Sequence, residues 1–550
     1  MTVQHRTPIG PEDVISIRGR YLYRGNNRFF VKGIAFPNIP PALATVSGHP
    51  SKNTPSMDGW IAVLEQLAMD TDINTIRIYE LDCYEQEIYD AFFKRACELG
   101  VYVMIPLTDS TGDGNLKRDK LPPECYPSKL FEYGRACMDA FWDRHPNVLM
   151  GVVGNEVMNN IQTYQSAPCV KAYLDDLTEY GLSLNQKRRS NLIHRETFPL
   201  LYATQHDSPT AEVLPEDAIK LTLDYLSCSK QIPPKQESIN MNPFVFGINI
   251  ESWCSSSETF LTDGVEESSY HALWRTFSGM NQTVETMDAV TGARTTKEMQ
   301  PLAPEPVEIP VIFSELGCSK LDFDQDNPNV PPEQKHIRDW KQIALVSSRN
   351  GSMADLWSGF VSYGYDGGGN QAFAMMGGDS GGSVWNGKDP LPPSKEYKNF
   401  RDALKNVQEI DAMDQTDSTE DLPFARQPHE FCNIAAERIK INLGVELYPL
   451  SRMPSHFNKI GNLIHHSRTD WRRTRAQEGI IGSSYLYSAA LLVVFFSGLF
   501  FLWNLKWHGS GPKKNIHGGA RKPLAQRTNG KYNQEENNSI ESSVANYGTL

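Results

Sequence analysis

The sequence predicts a (β/α)8 barrel, a TIM-type fold, and three observations carry that prediction. Short apolar, β-branched runs alternate with amphipathic stretches through the first two thirds of the chain, the signature of βα units around a parallel sheet. Two of these runs, Val152-Val153-Gly154-Asn155-Glu156 and Ile309-Pro310-Val311-Ile312-Phe313-Ser314-Glu315, end abruptly in a glutamate. The ends of parallel barrel strands open into one mouth, so both carboxylates are expected there. The 550 residues leave room for a barrel with long loops and for further segments.

Val14 to Phe36 alternates around Gly25-Asn26-Asn27, which reads as a β-hairpin plugging the barrel floor. Gly33 to Phe36 is the expected first barrel strand. Trp60 to Met69 follows as a helix, Asn74 to Tyr79 as a strand, Ile88 to Leu99 as a helix and Val101 to Leu107 as a strand. Lys129 to Trp142 is a helix leading into the Glu156 strand. Cys169 to Tyr180 is helical, and Leu200 to Ala203 is a strand ending near Gln205, His206 and Asp207. Phe244 to Ile250, the Glu315 run and Leu356 to Tyr365 supply the remaining strands. The last one runs into Gly367-Gly368-Gly369-Asn370, a loop that lets backbone approach a ligand.

The expected organisation is a catalytic barrel over 14–390, a linker and juxtamembrane stem over 391–484, a transmembrane helix over 485–505 and a disordered polar tail over 506–550. Tyr485 to Leu505 carries no charge and as a helix spans about 32 Å. Tyr485, Tyr487, Trp503 and Trp507 flank it as an aromatic belt. Met1 to Glu12 has no apolar core of a signal peptide. Arg468, Arg472, Arg473 and Arg475 before the span nearly balance Lys506, Lys513, Lys514, Arg521 and Lys522 after it, so charge alone does not orient it. A net charge of −13 without a basic stripe in the first 460 residues argues against a nucleic-acid partner. No metal cluster, phosphate loop or cofactor motif is present. Nine cysteines allow a few disulfides in an oxidising compartment.

Two glutamates delivered to one cleft by separate strands are what retaining glycoside hydrolysis requires: one acid/base and one nucleophile, about 5–5.5 Å apart. Asn155, immediately before Glu156, is placed to hydrogen-bond a sugar 2-hydroxyl.

At these residues the chain resembles the fungal β-1,3-glucanosyltransferases of glycoside hydrolase family seventy-two, cell-surface enzymes that elongate wall glucan. The resemblance rests on an ordered set: Phe29 to Gly33, Asn74 to Tyr79, Gly154 to Val157 with Asn159, and Ala167-Pro168 with Val170 to Ala172. Phe246 to Asn249 with Trp253-Cys254, Phe313 to Cys318, and Trp357 to Gly359 with Tyr363 and Tyr365 complete it. It implies a β-1,3-glucan donor and acceptor, Glu156 as acid/base, Glu315 as nucleophile, and Tyr79 and Asn155 as donor-sugar ligands. Tyr363, Tyr365, Trp253 and Asp207 complete the candidate substrate-binding set. The resemblance also implies a Cys254–Cys318 disulfide and, with the mate left open, a Cys228–Cys432 one. A wall-glucan substrate places the catalytic domain outside the plasma membrane and the tail in the cytoplasm. Asn281 and Asn350 are possible glycosylation sites.

The departures are as informative. Where that family has a tyrosine contacting the nucleophile, two residues before Trp253, this chain has Glu251. A third carboxylate beside the pair is expected to raise a pKa. The family's first disulfide is expected to be absent, because no cysteine precedes Cys83 and the Cys83 and Cys97 spacing does not match. Two alternatives therefore stand beside a transglycosylase: a β-glucan hydrolase using the same glutamates, and a non-catalytic, membrane-held glucan-binding protein.

Overall fold

The computed structural model describes residues 6–37, 57–109, 113–142, 144–187, 198–210, 213–228, 243–257, 268–278, 282–287, 294–299, 307–348 except 321, 323, 326 and 333, 353–366, 371–377, 385, 389–407 and 429–460. Eight strands close into a parallel barrel.

The N-terminal segment is a three-stranded antiparallel meander, β1 (Ile15–Arg18), β2 (Tyr21–Arg24) and β3 (Asn27–Phe29), rather than a two-stranded hairpin. The first turn lies at Gly19, and Gly25 lies at the second, both with positive φ, a conformation glycine adopts without steric cost. Ile15, Ile17, Leu22 and Phe29 pack into the same buried cluster as Tyr102, Met104, Leu149, Val245 and Ile312 of the barrel. The Tyr102 hydroxyl, at the start of its strand, donates to Asp13 O at 2.6 Å. The meander thus closes the floor.

The barrel strands are β4 (Val31–Ala35), β5 (Thr75–Arg77), β6 (Tyr102–Pro106), β7 (Val148–Asn155), β8 (Leu200–Gln205) and β9 (Phe244–Glu251). After a separate hairpin, β10 (Gln282–Met287) and β11 (Arg294–Met299), come β12 (Val311–Gly317) and β13 (Gly359–Ser362). Almost every residue of β6, β7, β9 and β12 is buried. That is why these strands read as continuous apolar runs: a parallel barrel strand meets side chains inside and helices outside. Strand β13 is shorter than the expected 356–365. Its first residue, Gly359 (φ +132°), packs its backbone onto Val31, where an added Cβ would fall 2.2 Å from the carbonyl oxygen.

The helices around it are α1 (Met57–Asp70), α2 (Asp90–Glu98), α3 (Ser128–Cys137), α4 (Ala167–Lys187), α5 (Pro215–Ser227), α6 (Ser269–Ser278) and α7 (Lys341–Val346). Three more, α8 (Lys395–Lys405), α9 (His429–Leu443) and α10 (His456–Ile460), fall in the stretch whose composition reads as linker and stem. They are packed against the barrel helices. Cys432 of α9 is bridged to Cys228 at the end of α5, and Arg438 pairs with Asp224 at 3.6 Å. Asp176 of α4 accepts from Ser455 Oγ at 2.8 Å and His456 N at 2.7 Å, capping α10. A boundary at 390 therefore does not end the folded body.

Cys254 is bridged to Cys318. Two further disulfides lie in the N-terminal half of the barrel: Cys83 pairs with Cys137 and Cys125 with Cys169. Cys97 is the one free cysteine among the described residues. Among these residues no helix is long and apolar enough to cross a membrane. The 485–505 segment, the tail, Asn281, Asn350 and the 367–370 glycine loop lie outside them.

Candidate active site

The mouth of the barrel is built from the last residues of five strands. Arg77 ends β5, Asn155 ends β7 with Glu156 next, Glu251 ends β9, Glu315 lies in β12, and Tyr363 follows β13. Both glutamate-bearing strands shift register just upstream, β7 between Val152 and Gly154 and β12 between Phe313 and Glu315. Such irregularities re-aim a side chain and are concentrated near active sites. Glu156 also sits in the left-handed region (φ +51°), a conformation that costs of order 1–3 kcal/mol away from glycine. Its amide donates to Ala203 O at 2.9 Å, fixing that turn.

One hydrogen-bond network joins the two carboxyls. Asn249 Nδ2 donates to Glu156 Oε1 at 2.7 Å and to Asn155 Oδ1 at 3.0 Å. Asn155 Oδ1 also accepts from Arg77 Nη2 at 2.8 Å, and Arg77 Nη1 lies 3.1 Å from Glu315 Oε1. The Tyr79 hydroxyl donates to the same Glu315 oxygen at 2.8 Å. Ser314 Oγ donates to Asn249 Oδ1 at 2.7 Å, which fixes the Asn249 amide so that its Nδ2 faces Glu156. A Cβ on Gly247 would stand 2.6 Å from Ser314 Oγ, so glycine leaves the room that this contact needs.

Electrostatics divides the groups. Burial pushes the Glu315 carboxyl up to about 7, with the charges of Glu156 and Glu251 adding to it. The Arg77 guanidinium and the Tyr79 hydroxyl oppose that by favouring the ionised form. Tyr79 itself is half-buried, and loss of water around its hydroxyl keeps its proton well above the usual phenol range. Glu251 is exposed, yet partial loss of water raises it to about 7, helped by Glu156 and Asp322 and opposed by Arg338. Along β9, Asn249 and Glu251 are two residues apart and share the mouth-facing side.

Not every expected residue joins this cluster. The Tyr363 ring meets Tyr79 edge-on with centroids 6.2 Å apart. Tyr365 instead donates from its hydroxyl to Gln66 Oε1 at 3.2 Å and accepts from Leu391 N at 3.1 Å, bracing helix α1 and the chain before α8. Trp253 is buried against Tyr270 with Lys341 Nζ 5.2 Å from its ring centre. Asp207 is exposed and accepts from Ser208 N in its own loop. The sequence alone assigns no site role to Asn249, Ser314 or Arg77. Their signal is a polar side chain inside an otherwise apolar strand. Among the described residues no group of three or more His, Cys, Asp or Glu could hold a metal.

A model of the glucanosyltransferase family, glycoside hydrolase family 72, matches residues 10–284. The chain belongs to that family. Protein EPD2 of Candida maltosa is 25% identical over 74% of this chain and 59% of its own length. The 1,3-beta-glucanosyltransferase gas1 of Schizosaccharomyces pombe is 24% identical over 64% of this chain and 50% of its own. The chain thus spans less than two thirds of these curated relatives. A solved apo structure of a Saccharomyces cerevisiae Gas2p mutant superposes with a TM-score of 0.52 at 19% identity, covering 77% of this chain and 71% of that one; it shares the fold. At the mouth of this glucanosyltransferase-family barrel, Glu156, Glu251 and Glu315 come together close enough to influence one another's charge.

Proposed function

We propose that this chain is a retaining β-1,3-glucan transglycosylase with Glu156 as acid/base and Glu315 as nucleophile. The observation that carries the reading is the single network Glu156–Asn249–Asn155–Arg77–Glu315 at the strand ends. Family membership and relatives named as 1,3-beta-glucanosyltransferases supply the substrate class.

In the first half-reaction a Glu315 carboxylate oxygen bonds to the anomeric carbon as the glycosidic C–O bond breaks. Glu156 gives its proton to the departing oxygen. Arg77 and Tyr79 hold the attacking oxygen in place and favour its ionised form. In the second half-reaction the Glu156 carboxylate takes a proton from an acceptor sugar hydroxyl, whose oxygen displaces Glu315 and forms a new glycosidic bond. Asn155 is positioned for the donor 2-hydroxyl, and Tyr363 beside Tyr79 for stacking on a sugar ring. Transfer differs from hydrolysis only in whether sugar or water meets the ester.

With the 485–505 segment read as a membrane span, a wall-glucan substrate puts this domain at the outer cell surface and the tail inside. The test is incubation of the purified protein with laminari-oligosaccharides. Products longer than the donor, lost in Glu156→Gln and Glu315→Gln, support the reading. Shorter products alone make it a hydrolase, and an unprocessed donor makes it a binding protein.

A further inference from the structure

Arg338, in the loop before α7, is 1% exposed, and its guanidinium reaches three separate pieces of backbone. Nη1 donates to Cys318 O at 2.9 Å and to Tyr363 O at 3.1 Å, and Nη2 donates to Phe373 O at 2.8 Å. Its charge is met by the buried carboxylate of Glu396, which accepts from Nε. The guanidinium also lies over the Trp340 ring, 4.4 Å from its centre.

Those carbonyls are not scattered. Cys318 is three residues past Glu315 and is bridged to Cys254, close in sequence to Glu251. Tyr363 faces Tyr79, which holds Glu315. Phe373 packs on Tyr363 with ring centres 5.4 Å apart. Strands β12 and β13 are neighbours, paired as far as Leu316 and Ser362 with Tyr363 N donating to Leu316 O at 3.0 Å, and the Arg338 fork extends that tie past the strand ends. Glu396 lies in the first turn of α8, capped by Ser394, whose Oγ accepts from Tyr397 N and donates to Met375 O.

We propose that Arg338, paired with Glu396, is a positioning residue for the nucleophile's half of the site. It locks the chain leaving β12 to the chain leaving β13, so that Glu315, Tyr79 and Tyr363 keep one geometry while the glycosyl ester forms. Neither side chain reaches the sugar; the effect passes through backbone. A planar fork with five donors can serve three carbonyls and a carboxylate at once, whereas an ammonium has only three donors on a single nitrogen. The consequence is that residues beyond the expected barrel boundary at 390 set the chemistry. This rests on the transglycosylase reading.

The test uses the purified full chain and an aryl β-laminaribioside, with ester-forming molecules counted by trapping with a 2-fluoro donor. In Glu396→Gln and Arg338→Lys, kcat per trapped molecule is expected to fall about tenfold or more with KM held within about twofold. Unchanged kcat per trapped molecule in these variants overturns the proposal, as does a fall carried by KM alone. Loss of one buried partner can unfold a protein, so the paired variant Arg338→Met with Glu396→Met is measured as well. Folded and slow, it supports the clamp; folded with wild-type kcat, it overturns it. An inactive wild type would strike the transglycosylase reading itself, which keeps the two failures apart.

Discussion

Asn249 Nδ2 lies 2.7 Å from Glu156 Oε1, and its own carbonyl is held by Ser314, the residue before Glu315. One amide on β9, fixed by the residue before Glu315 on β12, therefore sets the orientation of Glu156, the proposed acid/base. Replacing it by alanine removes the tether and leaves the carboxyl free to swing. Asn249→Ala is expected to lower kcat/KM by roughly 100-fold, with the folded fraction by circular dichroism unchanged. Ser314→Ala should cost less, because it only loosens the amide. If Asn249→Ala transfers glucan at the wild-type rate, Asn249 does not position Glu156.

Glu315 makes stability depend on pH in a defined direction. Its folded-state carboxyl is raised from 4.5 to about 7 by burial. Between those values the native state binds more protons than the unfolded chain, so this group's contribution falls as pH rises. Glu315→Gln is accordingly expected to be more stable than wild type at pH 8, by at most about 3 kcal/mol, with the difference closing below pH 4.5. Urea melts at both pH values measure it. A mutant less stable than wild type at pH 8 would show that the Arg77 ion pair outweighs burial.

Glu251 bears on the same titration from outside. Its charge raises Glu315, which as the proposed nucleophile must be ionised to attack. The acid limb of kcat/KM should therefore lie near pH 7 in wild type, as a property of the coupled carboxyls. Glu251→Gln removes one negative neighbour, so the limb should move to lower pH. Tyr79→Phe removes a donor to the ionised form and should move it to higher pH. Limbs that coincide in all three proteins would sink this electrostatic account.

What the sequence revealed and what it hid follow from the same physics. Doubly buried strands such as Phe244–Glu251 announce themselves as apolar runs, and a glutamate at the end of one stands out. Tyr363 and Tyr365 look equivalent at a spacing of two, but β13 stops at Ser362. Alternation no longer applies beyond it, and only Tyr363 meets Tyr79 while Tyr365 braces Gln66. Cys83 and Cys125 find partners 54 and 44 residues away, pairings set by which loops meet in space. Helix α9 was hidden for a related reason: its place depends on Cys228, far away in the chain.

That last bridge carries its own prediction. Cys228–Cys432 joins positions 204 residues apart, and closing so long a loop removes much freedom from the unfolded chain. The loop also encloses the Cys254–Cys318 bridge, which shortens it effectively, so the gain is roughly 3–5 kcal/mol. Cys228→Ser with Cys432→Ser should lower Tm and speed amide exchange across 429–443, since α9 is then left with its packing on α5 and the Arg438–Asp224 pair at 3.6 Å. Glu156 and Glu315 are held by barrel strands, so trapping by a 2-fluoro donor should persist below the new Tm. Loss of trapping in the folded double mutant would mean that α9 supports the catalytic mouth as well as the wall of the barrel.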